Sequence, residues 1–587
     1  MSRKLLSGNE AIARGALEAA ADFATGYPGT PSTEIIEALA TMGGPRCQWS
    51  INEKVALEVA AGASWAGGRV LVTMKHVGLN VAADPLFTLA YTGVRGGLVI
   101  INADDPQQFS SQNEQDNRHY ARAAKVPMLE PSDSREAKDY TRLAFRLSEE
   151  FDTPFLVRTT TRISHSKGLV FLGEKETRTT EGFLRKEPQK LVMVPEFGRR
   201  RHVVLEERLL RLEEYAASSG INVEFPGADR SLGIISSGVV YQYAREVFPK
   251  AGFLKLGMIF PLPRKLIADF VRRYRRVIVV EDLDPYLEGQ IRSWGLRVEG
   301  SEERALTGEL TPELVRQAWG KRRRRPRVRP ETDALPARPP VLCPGCPHRG
   351  IFTLLKKNGY FVTGDIGCYT LAAIPPLAAL HTCLCMGASL GTAHGMERIL
   401  KSTKDQRRVA AVIGDSTFFH SGLTPLADLV YNGAETLTIV LDNRTTAMTG
   451  RQDHPGSGKR LSGESAPRMN VAAIARGMGM KNVYEIDAYN YGQVERTLAK
   501  IAKRKGPALI VNHGACVLLE RTPMAGAYEV DEDLCDGCRR CLMIACPSLS
   551  LKGSGKSSKA TIDAATCYGC NLCAEVCTSG AIDERKG

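Results

Sequence analysis

The sequence predicts an α/β protein built on doubly wound parallel sheets, followed by a small cysteine-rich α+β end. Three observations predict this. Unbroken apolar strands, Gly67-Gly-Arg-Val-Leu-Val-Thr-Met and Gly96-Gly-Leu-Val-Ile-Ile-Asn, alternate with helical patterns, as strands covered on both faces do. Later strands end on acids or amides: Arg276-Val-Ile-Val-Val-Glu281-Asp282, Val409-Ala-Ala-Val-Ile-Gly414-Asp415-Ser416 and Leu437-Thr-Ile-Val-Leu441-Asp442-Asn443. Eight of the 15 cysteines fall in the last fifty-odd residues.

The elements follow in order. Residues 1–165 alternate helices with short β-rich runs. Residues 166–230 are polar and read as an irregular connection. From 231 to 320 a compact α/β pattern resumes with the strand and turn Gly233-Ile-Ile-Ser-Ser-Gly-Val. Residues 321–340, basic and proline-rich, read as a linker. A third α/β unit covers 341–522, and the cysteine-rich end covers 526–587, where residues 552–559 read as a flexible loop. Apart from paired cysteine motifs, no internal repeat is visible.

At 587 residues the chain is too long for one core. Its 43% hydrophobic and 24% charged content is that of an ordinary globular protein. No apolar run approaches the ~18 residues of a membrane span, and the first ten residues lack a signal peptide's apolar core. Fifteen cysteines without an export signal point to reduced thiols, metal and the cytoplasm. The net charge of +13 is concentrated at residues 321–325 with Arg327 and Arg329. Without interleaved aromatics, that stretch reads as a solvated linker rather than a nucleic-acid surface, or as an attraction for an acidic redox partner.

The cysteine end carries the most specific signal. Cys535-Asp-Gly-Cys538-Arg-Arg-Cys541 closes at Cys546-Pro547, and Cys567-Tyr-Gly-Cys570-Asn-Leu-Cys573 closes at Cys577. Three thiolates at two-residue spacing wrap one face of a cubane, and the fourth reaches the other cluster, as in two-cluster ferredoxins. This assigns Cys535, Cys538, Cys541 and Cys577 to one [4Fe–4S] cluster, and Cys546, Cys567, Cys570 and Cys573 to another. Zinc needs only pairs of CxxC, leaving a cysteine surplus in each triplet. The first motif has four residues rather than three before its last cysteine, and Thr578 replaces the usual proline.

In the third unit, Gly414-Asp415-Ser416 and Asp442-Asn443-Arg-Thr445 end two strands. A carboxylate from Asp415, the amide oxygen of Asn443 and the backbone carbonyl of Thr445 suit a hard cation such as Mg²⁺. Such a cation would hold a diphosphate in the crevice at the carboxyl edge of the sheet. The pattern resembles the thiamine diphosphate motif, with Ser416 in place of its second glycine and Asp442 in place of its first asparagine.

Together these features resemble the 2-oxoacid:ferredoxin oxidoreductases, over nearly the whole length. Gly26-Tyr27-Pro28-Gly29-Thr30-Pro31-Ser32, Asn52-Glu53, Thr73-Met-Lys75-His76-Val-Gly78-Leu-Asn80 and Ser110-Ser-Gln-Asn113-Glu-Gln-Asp116 carry the resemblance early in the chain. Cys343-Pro-Gly-Cys346-Pro-His348-Arg349 and Gly414-Asp-Ser-Thr-Phe-Phe-His420 carry it later. Within the family, the large subunits of aryl-specific enzymes are the nearest match.

The resemblance implies a pyrimidine-binding thiamine diphosphate domain at 1–165, a transketolase C-terminal-like domain at 231–320, a diphosphate-binding domain at 341–522 and a ferredoxin-like end. Glu53 is implied to contact the aminopyrimidine ring, Thr30 to lie near the substrate carboxylate, and Arg118 or Arg122 to supply its positive charge. Gly414, Asp415, Ser416, Asn443 and Thr445 are implied to bind the cofactor, and His420 and His76 to line the pocket. Cys343, Cys346, Cys368 and Cys516 match positions that hold a third cluster in related enzymes, or they are buried or reactive thiols. Cys47, Cys383 and Cys385 read as structural.

The implied reaction is the oxidative decarboxylation of an aryl 2-oxoacid such as indolepyruvate, with coenzyme A capturing the acyl group and ferredoxin the electrons. Pyruvate, 2-oxoglutarate or branched 2-oxoacids are alternative substrates, and an electron-transfer subunit with a vestigial thiamine site is an alternative role. A small beta subunit is implied as a partner, in a dimer of heterodimers, with an anaerobic or microaerobic host.

Overall fold

The computed structural model describes residues 2–180, 182, 186–300, 307–320, 340–401, 403, 407–519, 523–555 and 558–585. It divides into two units, Met1–Arg329 and Pro330–Gly587. The expected basic linker at 321–340 falls outside the described residues, except residue 340.

The first unit is organised by a seven-stranded sheet. Its strands run Met258–Phe260, Met128–Leu129, Phe155–Thr160, Leu98–Asp104, Val70–Lys75, Phe23–Gly26 and Arg46–Trp49. All pairings are parallel except that of Met258–Phe260 at one edge. The strands Val70–Lys75 and Leu98–Asp104 are buried at every residue, as the unbroken apolar pattern predicts for a sheet covered on both faces. Because every parallel strand points the same way, Gly26, Lys75, Asp104 and Thr160 all arrive at one edge.

A four-stranded sheet follows, ordered Arg276–Val280, Leu232–Ser237, Gly252–Leu256 and Val223–Phe225. Its Ile235, Leu254 and Val279 share one hydrophobic core with Val72, Ile100 and Leu156 of the larger sheet. Arg118 joins the two sheets. Its guanidinium meets Asp116 at 2.5 Å and Glu281 at 2.8 Å, and donates to the carbonyls of Asp282 at 2.6 Å and Asp284 at 2.9 Å. The side chain is 1% exposed. The expectation that Arg118 receives a substrate carboxylate is therefore corrected: two buried carboxylates already neutralise it. Removing one partner of a buried ion pair strands the others. Arg118→Met is expected to destabilise this unit by about 3–5 kcal/mol, read as a lowered thermal midpoint. A midpoint unchanged from the native chain would contradict the pinning role.

Residues 166–230 are not the irregular connection expected. Lys167–Phe171 pairs antiparallel with Arg3–Ser7, and Pro195–Ser218 is a 24-residue helix. Its buried stripe is Leu205, Arg208, Leu212 and Ala216, spaced by three or four residues as an amphipathic helix requires. An arginine sits in that stripe. Arg208 Nη1 donates to the Ala90 carbonyl at 2.8 Å, so a charged residue occupies what reads as a core position, while apolar Val203 and Leu210 are exposed.

The second unit centres on a six-stranded sheet, ordered Thr382–Cys383, Phe361–Gly364, Val409–Gly414, Leu437–Asp442, Ala508–His513 and Asn482–Asp487. Every pairing in it is parallel. The cysteine-rich end adds two antiparallel pairs, Tyr528–Val530 with Ile582–Glu584 and Leu549–Lys552 with Lys559–Ile562. The expected loop at 552–559 thus begins and ends in paired strands, and its residues 556 and 557 fall outside the described residues. Among the described residues no helix is long and apolar enough to cross a membrane.

Candidate active site and cysteine clusters

In the second unit, Val409–Gly414 and Leu437–Asp442 lie side by side, with Gly414 opposite Leu441. Their ends deliver Asp415 and Asn443 to one crevice. The Asp415 carboxylate is buried and accepts from the backbone N–H groups of Ser416 and Arg444, both at 2.8 Å. Asn443 Oδ1 accepts from the Thr445 N–H at 3.1 Å, and Thr446 Oγ1 donates to Ser416 Oγ at 2.8 Å. Buried, backbone-anchored oxygens from two adjacent strand ends are the donor set that Mg²⁺ takes with a diphosphate.

The electrostatics divide the two acids. Burial raises the Asp415 pKa, opposed by His454. For Asp442 the upward pull of burial is outweighed by His513 and Asp415, and its pKa falls; His513 Nδ1 lies 2.8 Å from its carboxylate. His454 was not legible in the sequence, because a His-Pro-Gly stretch after a strand looks like any loop. Its Nδ1 accepts from the Gly456 N–H at 3.1 Å, so Nε2 carries the proton. That Nε2 is buried, lies 3.2 Å from Asp415 Oδ2 and is off the line of a hydrogen bond. His420 is buried in the helical turn Phe418–Gly422 just past Asp415, with Nδ1 2.6 Å from Ser421 Oγ.

In the first unit, Glu53 opens the helix Glu53–Trp65, where Asn52 caps the N–H of Val55 at 2.8 Å. Its carboxylate is 5% exposed and rests against Gly78, where an added Cβ would stand 2.6 Å from Glu53 Oε1. Only glycine leaves that room. His76 is fully buried beside it, and burial lowers its pKa to about 4, so the ring is neutral. Thr30 lies in the turn after Phe23–Gly26, its carbonyl 3.3 Å from Ser110 Oγ. Arg122 is exposed.

Eight cysteines of the C-terminal end line two hollows, four in each. Cys535, Cys538, Cys541 and Cys577 line one hollow. Cys546, Cys567, Cys570 and Cys573 line another, which Gly345 and Arg349 also line. Among the described residues no three cysteine sulfurs lie within 4.8 Å of one another. That spread is too wide for one tetrahedral zinc with Zn–S bonds of ~2.3 Å, and it leaves room for a cluster.

Cys343, Cys346, Cys368 and Cys516 also come together, each within electrostatic reach of at least one other. Burial pushes the Cys346 thiol up to about 12 and the Cys368 thiol to about 11, the opposite of an activated nucleophile. The N–H of Cys516 donates to the Asn443 carbonyl at 3.0 Å. Arg349, 1% exposed, donates to the carbonyl of Cys343 at 3.0 Å and of Ile544 at 3.2 Å, and also to Leu342 and Ala545. It ties the CxxC turn to the cysteine-rich end. Gly345 makes that approach possible: a Cβ there would meet Tyr568 at 2.5 Å.

A crevice of buried oxygens at the end of a parallel sheet, with cysteines close by, is the arrangement of a cofactor-dependent redox protein. Two family models match: "Pyruvate flavodoxin/ferredoxin oxidoreductase, thiamine diP-bdg" over residues 14–206, and "Thiamine pyrophosphate enzyme, C-terminal TPP binding domain" over 365–512. The chain is 41% identical to indolepyruvate oxidoreductase subunit IorA of Archaeoglobus fulgidus, covering 99% of this chain and 97% of that one. It is 39% identical to the subunit of the same name from Methanothermobacter thermautotrophicus, with the same coverage. A more distant match, 28% identical over 48% of this chain, is 2-oxoglutarate synthase subunit KorA of A. fulgidus. The chain belongs to the 2-oxoacid:ferredoxin oxidoreductase family. It is an oxidoreductase with thiamine diphosphate as its cofactor.

Proposed function

We propose that this chain is the large subunit of an enzyme that oxidatively decarboxylates aryl 2-oxoacids, indolepyruvate foremost, and passes the electrons to ferredoxin. A smaller subunit completes the enzyme, as a dimer of heterodimers in the cytoplasm, with coenzyme A capturing the acyl group. The observation that carries the redox reading is the backbone hydrogen bond from Cys516 to Asn443, which sets a cysteine beside the diphosphate site. A cluster held there would have no use in a simple decarboxylase.

Thiamine diphosphate, when bound, supplies the carbanion and the electron sink for loss of CO₂. Asp415, Asn443 and the Thr445 carbonyl would hold its diphosphate through Mg²⁺, with Gly414 and Ser416 beside them. Glu53 would hold a proton at the aminopyrimidine ring. His420 would stand beside the diphosphate in the second unit, and His76 near Glu53 in the first. The cysteine sets imply an order for the electrons. Cys343, Cys346, Cys368 and Cys516 adjoin the diphosphate site. The hollow of Cys546, Cys567, Cys570 and Cys573 borders that set at Gly345 and Arg349. The hollow of Cys535, Cys538, Cys541 and Cys577 touches only the cysteine-rich end, and Cys538 is exposed. Ferredoxin would dock there.

The test is anaerobic benzyl-viologen reduction by the purified two-subunit complex with indolepyruvate, pyruvate and 2-oxoglutarate, with and without coenzyme A. Indolepyruvate is expected to give a kcat/KM at least about tenfold above the others, with about twelve irons per chain, four for each set. A faster rate with 2-oxoglutarate would move the substrate assignment toward the half-length relative. No reduction with any 2-oxoacid would leave only an electron-transfer role.

A further inference from the structure

We infer that Lys75 is the residue that receives the substrate's carboxylate, an inference that rests on the 2-oxoacid reading above. Arg118 is consumed by its own carboxylates and Arg122 faces solvent, so neither is the cation sought. Lys75 ends the strand Val70–Lys75 at the carboxyl edge of the sheet, where α/β folds bind their ligands.

Its surroundings are those of the expected substrate pocket. The stem of Lys75 runs along the turn that carries Thr30: a Cβ added at Gly29 would stand 3.1 Å from Lys75 Cβ and 3.7 Å from Cδ. The ammonium donates to the Ser110 carbonyl at 2.5 Å, and Ser110 Oγ in turn donates to the Thr30 carbonyl at 3.3 Å. One residue on, His76 begins the short helix His76–Val81, whose Gly78 holds the Glu53 carboxylate. Lys75, Thr30 and Glu53 thus converge on one end of the sheet.

The charge is the second half of the argument. Lys75 is 8% exposed, yet no carboxylate among the described residues lies within 4.0 Å of its nitrogen. The nearest acid it feels is Asp105. That carboxylate is already taken by the Ser110 N–H at 2.9 Å, Ser111 Oγ at 2.5 Å and Thr161 Oγ1 at 2.7 Å. Burial lowers the Lys75 pKa to about 8, which leaves most of it charged at neutral pH. The neighbouring His76 is neutral and contributes no competing cation. A buried ammonium with three donors, one of them on a carbonyl, is costly unless an anion completes it. The carboxylate of a 2-oxoacid is an anion of the right size; the phosphates of coenzyme A are the other source.

The experiment uses the complete two-subunit complex with Lys75→Gln and Lys75→Arg. In Lys75→Gln the KM for indolepyruvate is expected to rise on the order of 30- to 100-fold, as loss of a charged hydrogen bond implies. The KM for coenzyme A, the iron content and the thiamine diphosphate content should stay at native values. Lys75→Arg should recover part of the loss. The dissociation constant of an unreactive aryl carboxylate, followed by protein fluorescence, should weaken in parallel, whereas oxidation of an arylacetaldehyde, which has no carboxylate, should keep its native KM. A native 2-oxoacid KM in Lys75→Gln overturns the inference while leaving the function intact. So does a rise in the coenzyme A KM alone, or an equal rise for the aldehyde. A native complex inactive on every 2-oxoacid overturns the function itself, and this inference with it.

Discussion

Glu53→Gln is expected to lower kcat by about 10²- to 10⁴-fold, the range for removing a positioned acid–base group, while thiamine diphosphate stays bound. The geometry explains why the effect should be so large. Glu53 stands at the first turn of its helix, fixed by the Asn52 cap, and its side chain packs against Gly78. Glutamine has the same shape and would keep the packing, but it cannot take up and return a proton at the aminopyrimidine ring. Exchange of the cofactor's C2 proton in D₂O, followed by acid quench and NMR, separates this effect from loss of cofactor. Gly78→Ala makes a companion variant, since its methyl group would push the carboxylate away. Near-native C2 exchange in Glu53→Gln would remove Glu53 from the chemistry.

The second large effect concerns the cysteine sets. Cys570→Ala is expected to remove about four irons per chain and to cut ferredoxin reduction by more than ~100-fold. Cys538→Ala is expected to lose a similar amount of iron and ferredoxin reduction, yet to keep substrate-dependent bleaching of the remaining clusters. The difference follows from position. Cys570 is partly buried, in the hollow bordered by Gly345 and Arg349 next to the CxxC turn. Cys538 is exposed in the hollow that touches only the cysteine-rich end. A break in the inner set interrupts the relay, and a break in the outer set removes only its exit. Stopped-flow absorbance after mixing each variant with indolepyruvate under argon reads the distinction. Equal bleaching in both variants would mean that the electrons do not pass in this order.

Some of this protein is legible because its signal is local. A strand buried on both faces must be apolar throughout, so Val70–Lys75 and Leu98–Asp104 are evident by inspection. A cubane needs thiolates at fixed short spacing, so the triplets 535–541 and 567–573 are equally plain. The crossing of Cys546 and Cys577 to opposite sets follows from the same geometry, and the lining of the two hollows has the same membership. The helix Pro195–Ser218 was not legible because Arg208 interrupts its buried stripe.

The charged groups of the pocket were least legible of all. Arg118 and Lys75 are both single cations beside family-like motifs, and nothing local distinguishes a structural guanidinium from a binding ammonium. The distinction lies in partners far along the chain: Glu281 and Asp282 reach Arg118 from the second sheet, and among the described residues no carboxylate pairs with Lys75. His454 is a similar case, silent in its loop until the fold sets it beside Asp415.

By itself, then, the order of residues determined the sheet strands, the cysteine triplets and the strand-end acids, since each depends on spacings within one or two turns of chain. Only the tertiary structure decided which charges are spent and which remain for a ligand. A buried ion is defined by what surrounds it, and those surroundings come from segments up to about 160 residues apart.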